Sequence, residues 1–118
     1  MTHRRIADAL ATGVAGALLV TLPAAPASAA RTTLRGSVHD DFDSLRVGDR
    51  TVTHGRYRIV VRDASTMHNW HISGEGVDKR TTVGGTGRWV WKVRLRPGTY
   101  KIVCDPHHQQ MKLRLTVT

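Results

Sequence analysis

Four side chains of this sequence belong together chemically. They are the thiol of Cys104, its only cysteine, the imidazoles of His68 and His107, and the thioether of Met111. Cys104, His107 and Met111 fall within the short run Tyr100-Lys101-Ile102-Val103-Cys104-Asp105-Pro106-His107-His108-Gln109-Gln110-Met111, and His68 stands upstream with Asn69 beside it. A thiolate, two imidazoles and a thioether suit a trigonal Cys-His-His copper centre with a weak axial methionine. Soft sulfur and borderline imidazole bind both oxidation states of copper and exclude hard cations. Such a centre carries single electrons.

Taken singly, each residue has an ordinary structural reading. A lone thiol is a common core residue, methionine fills gaps at the head of an amphipathic strand, and one histidine is usually just a hydrogen-bonded one. Their joint spacing in a chain with one cysteine is what argues for a metal. Zinc fits less well, because methionine is a poor zinc ligand and one cysteine does not build a usual structural zinc site. A dinuclear copper centre would need a second cysteine. A Cys-His nucleophile would need an open cleft and an activating partner, which a small strand-rich chain does not suggest, so no enzyme is expected. Asp40, Asp41 and Asp43 lack the glycine and spaced carboxylates of a calcium loop and read as a solvated turn. His71 falls on the opposite strand face from His68 and reads as a satisfied histidine; His39 and His54 read as loop residues.

The elements that must position these groups alternate with period two. Tyr57 to Arg62, Trp89 to Leu95, Tyr100 to Cys104 and Met111 to Val117 read as strands, with two weaker ones near Leu34 to Val38 and Asp43 to Val47. Arg96-Pro97-Gly98-Thr99 reads as a tight turn, and the glycine-rich stretch Gly74 to Gly87 as a long connection crossing between sheets. Seven or so short strands of this kind specify an all-β fold, an antiparallel Greek-key sandwich or barrel. Trp70, Trp89 and Trp91 are expected to supply much of the core. Cys104 then ends one strand, Met111 begins the next, and His107 lies on the closing loop, so three groups converge on one point. His68 must reach that point from elsewhere in the sheet, and Asn69 is placed to hydrogen-bond backbone across the two loops.

At this level the chain resembles the blue (type 1) copper proteins, most closely the plastocyanin, amicyanin and pseudoazurin branch. The likeness rests on Met67-His68-Asn69-Trp70-His71, Gly98-Thr99-Tyr100 and Cys104-Asp105-Pro106-His107 with Met111 beyond, and it covers about Gly55 to Thr118. It implies a cupredoxin β-sandwich, copper held by His68, Cys104, His107 and Met111, and outer-sphere electron transfer through the exposed edge of the loop histidine. Three positions depart from the family pattern. Asp105 stands where a serine or threonine often follows the cysteine, and its charge near the sulfur would favour Cu(II) and lower the reduction potential. His108 directly follows His107 and is an alternative ligand, ranked second because His107 keeps the Cys-x-x-His spacing after Pro106. Leu113 replaces the usual glycine two residues after the methionine.

The start of the chain reads as a leader. His3, Arg4 and Arg5 precede an apolar Ala/Gly-rich stretch from Ile6 to Leu22, and Ala27-Ser28-Ala29 fits a cleavage pattern, so residues 1–30 are expected to be a signal peptide and residues 31–118 one exported cupredoxin-like domain. Export would be extracellular, periplasmic or to the cell envelope. A thiol in an oxidising compartment is protected when it ligates a metal. The chain has eighteen Lys/Arg against nine Asp/Glu, and sixteen against eight once Arg4, Arg5 and Asp8 are set aside. Those cations sit mostly at alternate strand positions, as on a solvated sheet face. The field would steer a monomer toward an acidic redox protein, donor or acceptor, or toward an anionic membrane surface. Nucleic acid is not expected, since no nucleic-acid motif is present. The competing functions are a copper carrier or buffer with no electron-transfer partner, and a metal-free sandwich used for adhesion or assembly.

Overall fold

Nine strands run from Thr32 to Val117 in the computed structural model, which describes residues 12–22 and 30–118. They are β1 (Thr32–Val38), β2 (Arg46–Val47), β3 (Thr51–Val52), β4 (Gly55–Asp63), β5 (His71–Gly74), β6 (Val77–Arg80), β7 (Gly87–Leu95), β8 (Gly98–Val103) and β9 (Lys112–Val117). A four-stranded sheet has the order β2-β1-β4-β7, and a five-stranded sheet the order β3-β9-β8-β5-β6. The all-β sandwich expected from the alternation is what forms. Pairing is antiparallel except for β1 with β4 and β3 with β9, which are parallel and make both sheets mixed. Period-two alternation says which face a side chain takes and nothing about strand direction, so these two pairs had no signal in the sequence.

Alternation sends Tyr57, Ile59 and Val61 of β4, Val93 and Leu95 of β7, Tyr100 and Ile102 of β8, and Leu115 and Val117 of β9 into one core between the sheets. Trp70 is fully buried and stacks on Trp91 with ring centroids 6.2 Å apart; Trp91 and Trp89 are only half-buried, so one indole rather than three anchors the core. Trp70 also requires Gly36 opposite it, because a Cβ there would sit 2.5 Å from the indole. Arg96-Pro97 is a bend rather than the expected tight turn, with Gly98 already in β8, and it carries the chain from the first sheet to the second. The Tyr100 hydroxyl braces that corner by accepting the Arg96 N–H at 2.9 Å.

Gly74 to Gly87 contains more than a connection. Glu75-Gly76 turns β5 back on β6, with Gly76 at φ +71°, and only the segment after Arg80 crosses to β7 in the other sheet. The sequence reading missed this hairpin because Val77-Asp78-Lys79-Arg80 presents a single apolar residue. Asp43 to Val47 shrinks to the two residues of β2, since the preceding residues form the turn over the site. Of the stretch read from the sequence as a leader, residues 12–22 carry no helix or strand and are exposed; the cleavage pattern Ala27-Ser28-Ala29 lies outside the described residues. Among the described residues no helix is long and apolar enough to cross a membrane.

Candidate metal centre

The alternation that fills the core also delivers the thiol. Tyr100, Ile102 and Cys104 point inward in turn, and Met111, Leu115 and Val117 do the same on the neighbouring strand. Cys104 and Met111 sit one residue beyond the ends of β8 and β9, and the Cys104 N–H donates to the Met111 carbonyl at 3.1 Å, extending the ladder. Between them the His107 carbonyl accepts the N–H groups of Gln110 and Met111 at 3.1 and 2.8 Å, and the His107 N–H donates to the Cys104 carbonyl at 3.1 Å. The loop is therefore a closed, self-bonded turn that turns His107 back over Cys104.

His68 arrives on the connection between β4 and β5. The Ser65 hydroxyl accepts the N–H groups of Met67 and His68 at 3.0 and 2.8 Å and donates to the Asp40 carboxylate at 3.0 Å, which fixes the short turn ahead of the imidazole. His68 and Cys104 are fully buried, and His107 is half-exposed. The Nδ1 atoms of the two imidazoles lie 3.1 Å apart, and each is 3.6 Å from Cys104 Sγ.

Three donor atoms at these separations fit one ion. At bond lengths of about 2.0 Å to nitrogen and 2.3 Å to sulfur, two nitrogens sharing an ion lie at most about 4.0 Å apart and a nitrogen and sulfur about 4.3 Å. All three observed distances fall inside those limits. Two imidazole nitrogens facing each other at hydrogen-bond distance can also share a proton, so distance alone does not single out a metal. The surroundings fix which ring nitrogens face the centre. His68 Nε2 faces the Asp40 carbonyl at 2.9 Å, and since a carbonyl only accepts, Nε2 carries the proton and Nδ1 presents its lone pair to the centre. Phe42 packs edge-to-face on both imidazoles, with centroids 5.0 and 4.8 Å away.

Of the four residues singled out in the sequence, the fold brings His68, Cys104 and His107 together as a possible metal site. Met111 is 1 % exposed and bonded through its backbone to both Cys104 and His107. His108 is exposed, with its Nδ1 3.2 Å from the Asp105 carbonyl, and is not part of the cluster. Asn69 does what its position suggested. Its Oδ1 accepts the Asp105 N–H at 2.8 Å, and its Nδ2 donates to the Thr81 carbonyl at 3.1 Å and to the Asp105 carboxylate at 2.8 Å.

Sequence reasoning missed the outer ring of this site. Asp40 does not end in a solvated turn. Its carboxylate takes the Ser65 hydroxyl and the Thr66 N–H, and its carbonyl orients His68. His71 is satisfied, as expected, but by two carboxylates, Asp105 at 2.6 Å and Asp78 at 2.5 Å. Burial pushes the Asp105 carboxyl up; the hydrogen bonds from Asn69 and His71 and the positive charges of His71 and Arg80 outweigh it and hold the group below the ordinary carboxylate range. Asp78 is held low chiefly by its hydrogen bond from His71. The only advance signal was the density of short polar residues around His68, the Asp63-Ala64-Ser65 run above all.

No protein-family model and no curated protein matches the chain. Solved structures do. Dithionite-reduced auracyanin from the photosynthetic bacterium Roseiflexus castenholzii superposes with a TM-score of 0.54 at 21 % identity, covering 75 % of this chain and 98 % of that one. Auracyanin A, a "blue" copper protein from Chloroflexus aurantiacus, gives 0.49 at 16 % identity over 75 % of this chain and 100 % of its own. Plastocyanin from Dryopteris crassirhizoma gives 0.44 at 20 % identity over 71 % and 99 %. The fold of this chain is the cupredoxin β-sandwich.

Proposed function

We propose that the protein is an exported blue-copper electron carrier, in which His68, Cys104 and His107, with the Met111 thioether as a weaker donor, would hold one copper ion. The observation that carries the reading is the triangle of His68 Nδ1, His107 Nδ1 and Cys104 Sγ, with sides of 3.1, 3.6 and 3.6 Å, built at the buried end of a cupredoxin sandwich. Copper bound there would supply a one-electron couple between Cu(I) and Cu(II). Everything else is the work of the chain. Asp40 fixes the His68 tautomer, Asn69 ties the two ligand loops together, and Phe42 packs on both imidazoles. Donors held this firmly before a metal arrives favour fast electron exchange with little rearrangement over uptake and release of the ion. His107, the half-exposed member, offers the route for an electron to and from a redox protein.

The test is the absorption spectrum after addition of Cu(II). An intense visible band from thiolate-to-copper charge transfer is expected, and Cys104→Ser should abolish it. Absence of the band in folded wild-type protein refutes the reading. Slow self-exchange together with ready loss of copper to a chelator would instead identify a carrier of the ion.

A further inference from the structure

The outer face of the four-stranded sheet carries an array of cations that the metal site does not explain. Register places Arg56 directly opposite Arg94, Arg58 opposite Lys92 and Arg62 opposite Arg88, three exposed like-charge pairs along β4 and β7 with the Val60–Val90 pair between the second and third. Arg35 and Arg46 extend the same face onto β1 and β2, through the pairings Arg35 with Val60 and Ser37 with both Arg62 and Arg46. The one carboxylate in these registers, Asp63, is buried and bonded to Ser65 and Thr81, and among the described residues none of the cationic side chains forms an ion pair. Like charges directly opposite each other on a sheet are destabilising, and folding alone gives no reason to stack three such pairs.

We infer that this face docks on an anionic phospholipid bilayer. The shape and chemistry of the array select that occupant. The first two pairs lie about 7 Å apart along the strands and the third about 14 Å further on, with about 5 Å between the members of a pair, so the charges spread over the sheet as a plane of headgroups requires. Seven of the eight cations named are arginines, whose planar forks match phosphate oxygens in two-point contacts. A protein partner is a poorer fit, because protein interfaces centre on desolvated aromatic or aliphatic anchors ringed by polar groups. Here the apolar members are Val60, 6 % exposed, and Val90, 41 % exposed, and both lie among arginines. The ligand triangle is at one end of the sandwich, beyond Asp63 and Gly87, so a molecule lying on this face keeps His107 free for a redox protein. The inference does not depend on copper.

Co-sedimentation of the full chain with vesicles tests it, comparing pure phosphatidylcholine with phosphatidylcholine mixed with phosphatidylglycerol, with and without added copper. The quantity read is the excess partition onto the anionic vesicles, which should fall steeply as salt rises. At about fivefold per arginine near an anionic surface, the triple variant Arg56→Gln/Arg58→Gln/Arg62→Gln should lose about 100-fold of that excess. Arg88→Gln/Lys92→Gln/Arg94→Gln removes the same pairs from the other strand and should lose as much, which keeps the test valid if one variant folds poorly. Lys101→Gln/Lys112→Gln/Arg114→Gln, on the other sheet, lowers net charge equally and should lose far less. Equal losses in all three variants would assign the effect to net charge and overturn the face. No excess over neutral vesicles, or tighter binding of polyglutamate or duplex DNA than of anionic vesicles at the same salt, would overturn the membrane.

Discussion

Replacing Asn69 by alanine tests how the site is held in place before any metal binds. The side chain is fully buried and makes three hydrogen bonds, accepting from the Asp105 N–H and donating to the Thr81 carbonyl and the Asp105 carboxylate. Each of the two bonds to backbone contributes about 1 kcal/mol. The bond to the carboxylate would contribute more, but the Asp105 side chain is 32 % exposed. Solvent screening brings that bond back to about 1 kcal/mol as well. The sum is a loss of about 3 kcal/mol, which for a fold of this size lowers the melting temperature by about 12–24 °C. Metal-free protein is the material to melt, so that copper does not mask the change. Copper affinity should fall about 10- to 100-fold in parallel, as it does when groups behind metal ligands are removed. Because one of the three bonds ends on the Asp105 carboxylate, the pair Asn69→Ala and Asp105→Ala should be less than additive in a double-mutant cycle by about the worth of that bond. A fall of under about 4 °C would mean that each bond is replaced by water at little cost, and that Asn69 does not tie the loops together.

Met111→Leu should keep the visible band and copper binding while raising the reduction potential, by about 59 mV for each tenfold bias toward the reduced ion; an unchanged potential would make Met111 a core residue only. Asp105→Ser should also raise the potential, since a carboxylate next to the ligating thiolate favours Cu(II), and voltammetry of the two proteins decides it. Asp105 titrates below the ordinary value in the folded protein, so its contribution to stability is complete above about pH 4, the unfolded value, and is lost as pH falls through the lower folded one. Melting of the metal-free protein against Asp105→Asn should therefore show a difference at neutral pH that closes in acid. Arg58→Glu, which turns a like-charge pair with Lys92 into an opposite-charge one, should stabilise the protein by about 0.5–1 kcal/mol, seen as a rise of about 2–8 °C.

The sequence alone determined the parts of this protein that depend on local order. Period-two alternation put Cys104 and Met111 on the core side of adjacent strands, and Cys-x-x-His spacing with Pro106 put His107 on the loop between them, because a short link between paired strands leaves few places for a side chain to go. The tertiary structure decided what depends on residues distant in the chain. Asp40 reaches His68 across 28 positions, and Asn69 and His71 reach Asp105 across 36 and 34. Period two does not encode which strands become neighbours, or in which direction, so it could not foresee these contacts or the parallel pairing of β1 with β4. For the same reason the basic residues read from the sequence as a solvated face. Only the register of β4 on β7 shows that they stand directly opposite one another, where their mutual repulsion becomes a cost.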